Sequence, residues 1–410
     1  MRRLALLVGA IVLVDTMFYA AITPLLPRLA DDLDLGKNGA GVLAGAYAAG
    51  TLVGSLPGGW LAARAGVKAT ILVGIALMSA SGLAFAFGNT IALLDAARFV
   101  QGVGGACSWA GGMAWLAGEA PRERRGEVIG GVLGAAIFGV QLGPVVGALA
   151  TAIGREAAFS TAVVFGLALG AWAWATPARP VSEVLSRLAS ARHPGSPDGG
   201  RVSRPATPAA ALRERSMLAG MWLTILPAAA FGVLDVLAPL RLDALGATGL
   251  AIGATFFAAA GAEAIVSPTA GRAADRRGAR PVARAGLVLG AIALAVVYLP
   301  GRVWLLAVVV VLVAGLLGVL WVPAGLMLTG GADRIGLDSA YAFAFFNLSW
   351  AAGFTVGAAG GGAVAQVTGD AVPYLMLAGG YALSLAAAIW TPRWWRRPEP
   401  SLPLQTWRQR

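Results

Sequence analysis

Four ionisable side chains sit inside long apolar stretches of this sequence. They are Asp15 in LALLVGAIVLVDTMFYAAI, Arg98 in ALLDAARFVQG, Asp235 in AAAFGVLDVLAPL and Glu263 in AAAGAEAIVSP. A charge held in hydrocarbon is expensive, so such residues usually move protons, ions or substrates. Asp15 is the first candidate. At 1.5 Å per residue it lies about 17 Å into its apolar stretch, close to the middle of a bilayer. A carboxylate there costs about 2.5–3.5 kcal/mol to insert, and it can change protonation as its surroundings open and close. Its bland alternative is hydrogen bonding to neighbouring hydroxyls. Glu263 is open to proton coupling, cation binding or gating. Asp235 is placed for coupling, for solvation near a helix end, or for pairing with Arg241. Arg98 follows Asp95 by three residues, a spacing that permits an ion pair within one helical turn.

Covalent chemistry is poorly supplied. One cysteine, Cys107, and one histidine, His193, allow no intramolecular disulfide, no Cys/His metal cluster and no Cys–His catalytic pair. No G-x-x-x-x-G-K-[ST] loop is present to cradle a phosphate. DDLD at 31–34 resembles a metal-binding cluster but reads better as a solvated loop. No cofactor and no metal are expected. YAFAFFNLSW (341–350) offers Tyr341, Phe345, Asn347 and Trp350 as an aromatic, mildly polar wall suited to an amphipathic or cationic ligand. The alternative is that these aromatics face lipid or a neighbouring helix, and the same choice holds for Trp109 and Trp115.

These residues need a scaffold, and the composition names its class. Only 12% of the 410 residues are charged, where a soluble chain carries about 25%. Hydrophobic residues make up 58%, to which the chain adds 57 glycines. No water-soluble fold of this size hides that much apolar surface. Stretches of about 20 apolar residues, the length that crosses a hydrocarbon core, fall near 4–26, 39–62, 68–88, 91–116, 127–151, 157–176, 217–240, 249–271, 281–300, 303–330, 336–366 and 371–392. The expected fold is therefore an all-α membrane protein of twelve transmembrane helices, since a barrel would alternate over segments of about 10 residues. The opening MRRLALLVGAIVLV imitates a signal peptide, but its apolar run continues past Asp15 to Pro27, which marks a retained first span.

The net charge of +11 is a topology signal and not a nucleic-acid one. With the N-terminus inside, Arg and Lys concentrate in the inner loops, the central loop and the C-terminus. The outer loops hold only Arg28, Lys37, Arg155, Arg241 and Arg302. This positive-inside pattern places both termini in the cytoplasm of a multi-pass protein of the inner membrane. The expected domains are a six-helix bundle over 1–176, a basic linker over 177–216, a second six-helix bundle over 217–392 and a cytoplasmic tail over 393–410. The linker is rich in Pro, Ser, Gly and Arg, and the tail carries Trp394 and Trp395 for the headgroup zone.

The halves resemble each other. PLLPRL (24–29) pairs with LAPLRL (237–242), and GWLAARAGVK (59–68) pairs with GRAADRRGAR (271–280). GVQLGPVVG (139–147) pairs with GFTVGAAGG (353–361), so Gly139, Gly143 and Gly147 face Gly353, Gly357 and Gly361. All three offsets lie between 212 and 214 residues, which argues for a duplicated six-helix unit. GTLVGSLPG (50–58) is a tandem small-residue motif for helix packing.

GRAADRRGAR, RFVQG (98–102), GVQLGPVVG and PLLP together resemble the major facilitator superfamily along essentially the whole chain. Gly271, Asp275, Arg276, Gly278 and Arg280 match its loop motif, and Arg64, Gly66 and Lys68 match the first copy. Arg98, Gln101 and Gly102 match its fourth-helix motif. Gly139, Gly143, Pro144 and Gly147 match the fifth-helix motif of its antiporters. The pattern is similar to the drug:proton antiporter branch, which includes vesicular amine transporters and commonly carries an acidic residue in the first helix. One position departs from the motif: Ala63 stands where the first loop copy has the Asp that latches the N-terminal half.

The expected protein is a secondary transporter, not an enzyme. It would export small amphipathic or cationic compounds against protons by alternating access, as a monomer. The ionisable residues expected to couple protons are Asp15, Glu263, Asp235 and Arg98. Asp15, Tyr341, Phe345, Asn347 and Trp350 are expected to meet substrate. The nearest alternative is a facilitator or proton symporter for a small metabolite. A membrane-embedded transferase is remote, because it would need clustered aspartates or histidines.

Overall fold

The structure, a computed structural model, describes residues 1–120, 125–178, 208–337 and 339–390. Most of the 177–216 linker with His193, the tail with Trp394 and Trp395, and Arg122 and Arg124 lie outside the described residues.

Among the described residues the chain is helical, without strands, and runs as twelve rods. Span 1, Arg2–Asp32, joins helices Arg2–Ala20 and Leu26–Asp32 through a 3₁₀ turn at Thr23–Leu25. Spans 2 to 6 are Lys37–Arg64, Val67–Phe87, Ile91–Glu119, Arg125–Ile153 and Arg155–Ala175. Spans 7 to 9 are Arg215–Ala244, Gly249–Arg277 and Ala279–Val296. Span 10, Val303–Ile335, is interrupted between Gly318 and Trp321. Span 11 begins as Ser339–Thr355, loosens into a π turn at Val356–Gly360 and ends as Gly361–Thr368, and span 12 is Ala371–Trp390.

Eleven of these segments are long and apolar enough to cross a membrane. Span 4 is the other. It carries Asp95, Arg98, Gln101 and Ser108, and the last three are buried against its neighbours instead of meeting lipid. Lipid is as apolar as leucine, so helices in a bilayer associate through close packing of small residues. Spans 2 and 4 show how. Gly50, Gly54 and Gly58 lie against Phe99, Val103 and Cys107, while Gly102 lies against the Tyr47 carbonyl. The tandem glycine motif of span 2 thus packs helices, as its spacing implies.

The two-fold repeat is visible in the packing. Gly139, Gly143 and Gly147 of span 5 abut Leu13, Met17 and Ala21 of span 1. Their counterparts Gly353, Gly357 and Gly361 in span 11 abut Ile225, Ala229 and Val233 of span 7. The same three contacts recur once per half, giving two pseudo-symmetric six-helix bundles. Gly66 and Gly278, the matching glycines of the two loop motifs, have φ of 90° and 85°. That left-handed region is one glycine enters without strain.

The two bundles meet at the face opposite the linker. Lys37 Nζ pairs with Asp370 Oδ1 at 2.5 Å, joining the start of span 2 to the turn before span 12. Beside that pair Gly36 approaches Gln366, and Gly41 packs on Ala358 and Gly362. Gly249 and Gly253 of span 8 lie against Thr151, Ala148 and the Pro144 carbonyl of span 5. Toward the linker face the pattern ends: Gly130, Gly131 and Gly134 of span 5 and Gly271 of span 8 face open space. These contacts tie the bundles together at the Lys37–Asp370 end.

Candidate transport site

The site begins with a broken helix. Pro24 and Pro27 have no N–H to donate, so the first helix of span 1 cannot run on past Ala20 with its ladder intact. Its last carbonyls then need other partners. Arg98, fully buried on span 4, supplies them. Its Nη1 donates to Phe18 O at 3.2 Å and its Nη2 to Tyr19 O at 3.0 Å, while Nη1 also donates to Gln101 Oε1 at 2.9 Å. A cation at a helix C-terminus also meets the negative end of the helix dipole. The one-turn ion pair with Asp95 does not form: Asp95 Oδ1 is buried without a partner, because the guanidinium is spent on span 1. Arg98 lies 5.3 Å from the Tyr47 ring centroid and 6.0 Å from that of Tyr19.

Asp15 sits one turn before Tyr19 and is fully buried. Its Oδ2 accepts from Tyr47 Oη at 2.9 Å and from Trp109 Nε1 at 3.2 Å. Oδ1 has no hydrogen-bond partner among the described residues. Gly105 leaves room for the carboxylate, since a Cβ there would fall 2.9 Å from both oxygens. Arg98 is within electrostatic reach of Asp15. A phenol and an indole thus hold one oxygen of Asp15, and the other has no hydrogen-bond partner among the described residues.

Facing this pocket is an aromatic wall from both halves. The Tyr19 ring centroid lies 4.7 Å from Tyr47, 5.5 Å from Trp350 and 5.7 Å from Phe354. In the second half, Glu263 Oε1 accepts from Trp321 Nε1 at 2.7 Å. Trp321 stacks on Phe231 at 6.0 Å and 11° and meets Phe346 at 5.8 Å. Asp235 is half-buried, with no hydrogen bond or ion pair to a described residue, and the expected alternative pairing with Arg241 is not formed. It is within electrostatic reach of Glu263.

Span 11 contributes through one helical face, Phe346, Trp350 and Phe354, four residues apart. Half-buried Asn347 precedes Trp350 by three residues. Phe345 instead packs on the cluster of Met217 and Leu328, and Tyr341 is 44% exposed near the linker face. Trp115 is buried in the core of the first half. Sequence reasoning misses Tyr19, Tyr47, Trp321, Phe231 and Phe354. A tyrosine in an otherwise small-residue span, as Tyr47 is, is the one signal that points to this group.

The residues of the two loop motifs fall outside this centre. Arg64 is exposed and lies 4.7 Å over Trp60, while Lys68 Nζ bonds the Trp174 carbonyl beneath its ring. Ala63 is exposed, as are Asp275 and Arg276; Arg280 is half-buried at the start of span 9. Asp275 makes no ion pair with a described residue.

Comparison with known proteins agrees with this architecture. The model of the Major Facilitator Superfamily matches residues 8–262. The synaptic vesicular amine transporter of Homo sapiens is 39% identical over 103 residues, 25% of this chain and 20% of that protein. The quinolone resistance protein NorA of Staphylococcus aureus is 27% identical over 146 residues, 36% of this chain and 38% of that protein. The matched stretches cover no more than about two fifths of such relatives' length. The crystal structure of a D-xylose-proton symporter superposes with a TM-score of 0.72 at 16% identity, covering 94% of this chain and 96% of that one. At that identity the likeness speaks for the fold alone. The chain belongs to the major facilitator superfamily and is a multi-pass membrane protein.

Proposed function

We propose that the chain exports amphipathic or cationic compounds in exchange for protons, acting as a monomer in the inner membrane with its linker face in the cytoplasm. The observation that carries this reading is Asp15: a wholly buried carboxylate with one oxygen held by Tyr47 and Trp109 and the other unpartnered. Around it, Tyr19, Trp350 and Phe354 supply the flat, electron-rich faces that attract organic cations. The amine and quinolone transporters among the relatives support the same substrate class. On this orientation the contacts around Lys37 and Asp370 close the outer side, and the bundles part toward the cytoplasm. In that state Asp15 gives up its proton and the aromatic wall receives substrate. The bundles then rock as rigid bodies about the midplane, the Lys37–Asp370 pair parts, and substrate leaves as a proton arrives from outside. One charge crossing about 100 mV yields about 2.3 kcal/mol, roughly 50-fold in concentration.

The test is uptake of a lipophilic cation into inverted vesicles with an acid interior. Accumulation tens of fold above equilibrium, lost when a protonophore is added, is the expected result. Equilibration that ignores the gradient would make the chain a facilitator. Movement out of the vesicles along with protons would make it a symporter.

A further inference from the structure

The duplication makes Arg28 and Arg241 counterparts, at the ends of spans 1 and 7 opposite the linker. Arg28 is engaged within its own half. Its Nη1 donates to Thr151 O at 3.0 Å, and its Nε lies 3.7 Å from Asp32, one turn on. Arg241 repeats neither contact. The position one turn after it holds Leu245, which offers no carboxylate. Its exposed guanidinium makes no hydrogen bond or ion pair to a described residue. It lines instead a cavity of about 190 Å³ between the ends of spans 7, 9, 10 and 12. The wall of this cavity is largely apolar, with Leu237, Ala238 and Leu306 all buried, and Tyr374 adds a phenol that can donate a hydrogen bond. Asp370 also lines it, but its charge is met by Lys37 Nζ at 2.5 Å. Among the residues lining the cavity, Arg241 is the one charge left unbalanced.

We propose that this cavity is a second binding site, distinct from the one around Asp15, that takes small amphipathic anions. A carboxylate or phosphate meets the planar fork of Arg241, which matches two oxygens at once. The apolar part lies against Leu237, Ala238 and Leu306. The cavity is smaller than the roughly 300–1,000 Å³ that holds a drug-sized ligand, so that part is a single ring or a short chain. A free organic acid and the head of an anionic lipid both present this chemistry. The site depends neither on the direction of transport nor on the transported compound.

The experiment follows para-fluorophenylacetate and its uncharged amide by fluorine NMR line broadening. The full chain is held in nanodiscs of zwitterionic lipid at low salt and near-neutral pH. The acid is expected to bind about tenfold more tightly than the amide, the worth of a hydrogen-bonded contact to a charged group. Arg241→Gln is expected to remove that advantage. Ala238→Leu, which fills the cavity and leaves the charge in place, is expected to weaken both probes. Arg28→Gln removes the same charge from the same face of the other half and is expected to leave binding unchanged. Adding phosphatidylglycerol to the nanodiscs separates the sources: displacement of the acid assigns the site to a lipid headgroup, and undisturbed binding assigns it to a soluble anion. Absence of acid binding by folded protein overturns the proposal. So does equal binding of acid and amide, a preference that survives Arg241→Gln, or acid binding indifferent to Ala238→Leu.

Discussion

Replacing Arg98 with alanine is expected to destabilise the first half of the protein, by about 3–5 kcal/mol, the range found when one member of a buried charged network is removed. The substitution strips donors from Phe18 O and Tyr19 O, carbonyls that the proline-broken helix leaves without backbone partners. A buried acceptor without a donor costs about 1–3 kcal/mol, and hydrocarbon offers no water to replace it. Asp15 also loses the cation that balances it. Arg98→Lys keeps the charge but gives up the planar fork that reaches two carbonyls at once, so partial recovery is expected. Thermal unfolding of the purified variants is the readout. If Arg98→Ala unfolded at the wild-type temperature while transport failed, Arg98 would act on coupling alone and the capping role would be wrong.

Gly102→Val is expected to be comparably severe, for a steric reason. A Cβ at Gly102 runs into the Tyr47 carbonyl, and one at Gly50 runs into the Phe99 carbonyl. Both obstacles are backbone, so no side-chain rotation relieves them. Spans 2 and 4 must separate, which loses their packing and pulls Tyr47 Oη away from Asp15. Overpacking a core typically costs about 1–3 kcal/mol and occasionally more. The paired control is Gly134→Ala, where the added methyl meets open space. There alanine is expected to be neutral or to stabilise by up to about 1 kcal/mol through helix propensity. Equal stability of the two variants would mean that the span 2–span 4 crossing is looser than these contacts require.

Legibility in the sequence differs by kind of feature. The rods are legible, because eleven of the twelve satisfy the length and apolarity of a membrane crossing. The duplication is too: the offset that aligns Gly143 with Gly357 is the offset at which both pack on the first helix of their half. Asp15 stands out because a carboxylate in an apolar run is costly wherever its partners lie. Those partners are hidden. Tyr47 lies 32 positions away and Trp109 lies 94 away, and only packing brings them together. Arg98 misleads for a related reason. Spacing along one helix offers Asp95, while the stronger claim comes from carbonyls that a neighbouring helix exposes where its prolines break it. In span 11 the composition announces an aromatic wall. Choosing Phe346, Trp350 and Phe354 over Tyr341 and Phe345 requires the helix's rotation about its axis, which an almost uniformly apolar sequence does not encode.

The central claim is that protonation of Asp15 drives transport, and Asp15→Asn tests it most directly. Asparagine keeps an oxygen for Tyr47 and Trp109 to bond, so the pocket survives while the titrating group is gone. Wild-type and variant vesicles are compared for accumulation driven by an acid interior and for exchange of labelled against unlabelled substrate without a gradient. The account predicts that the variant retains exchange and loses accumulation. Accumulation that persists in Asp15→Asn would contradict it and move proton coupling to Glu263 or Asp235.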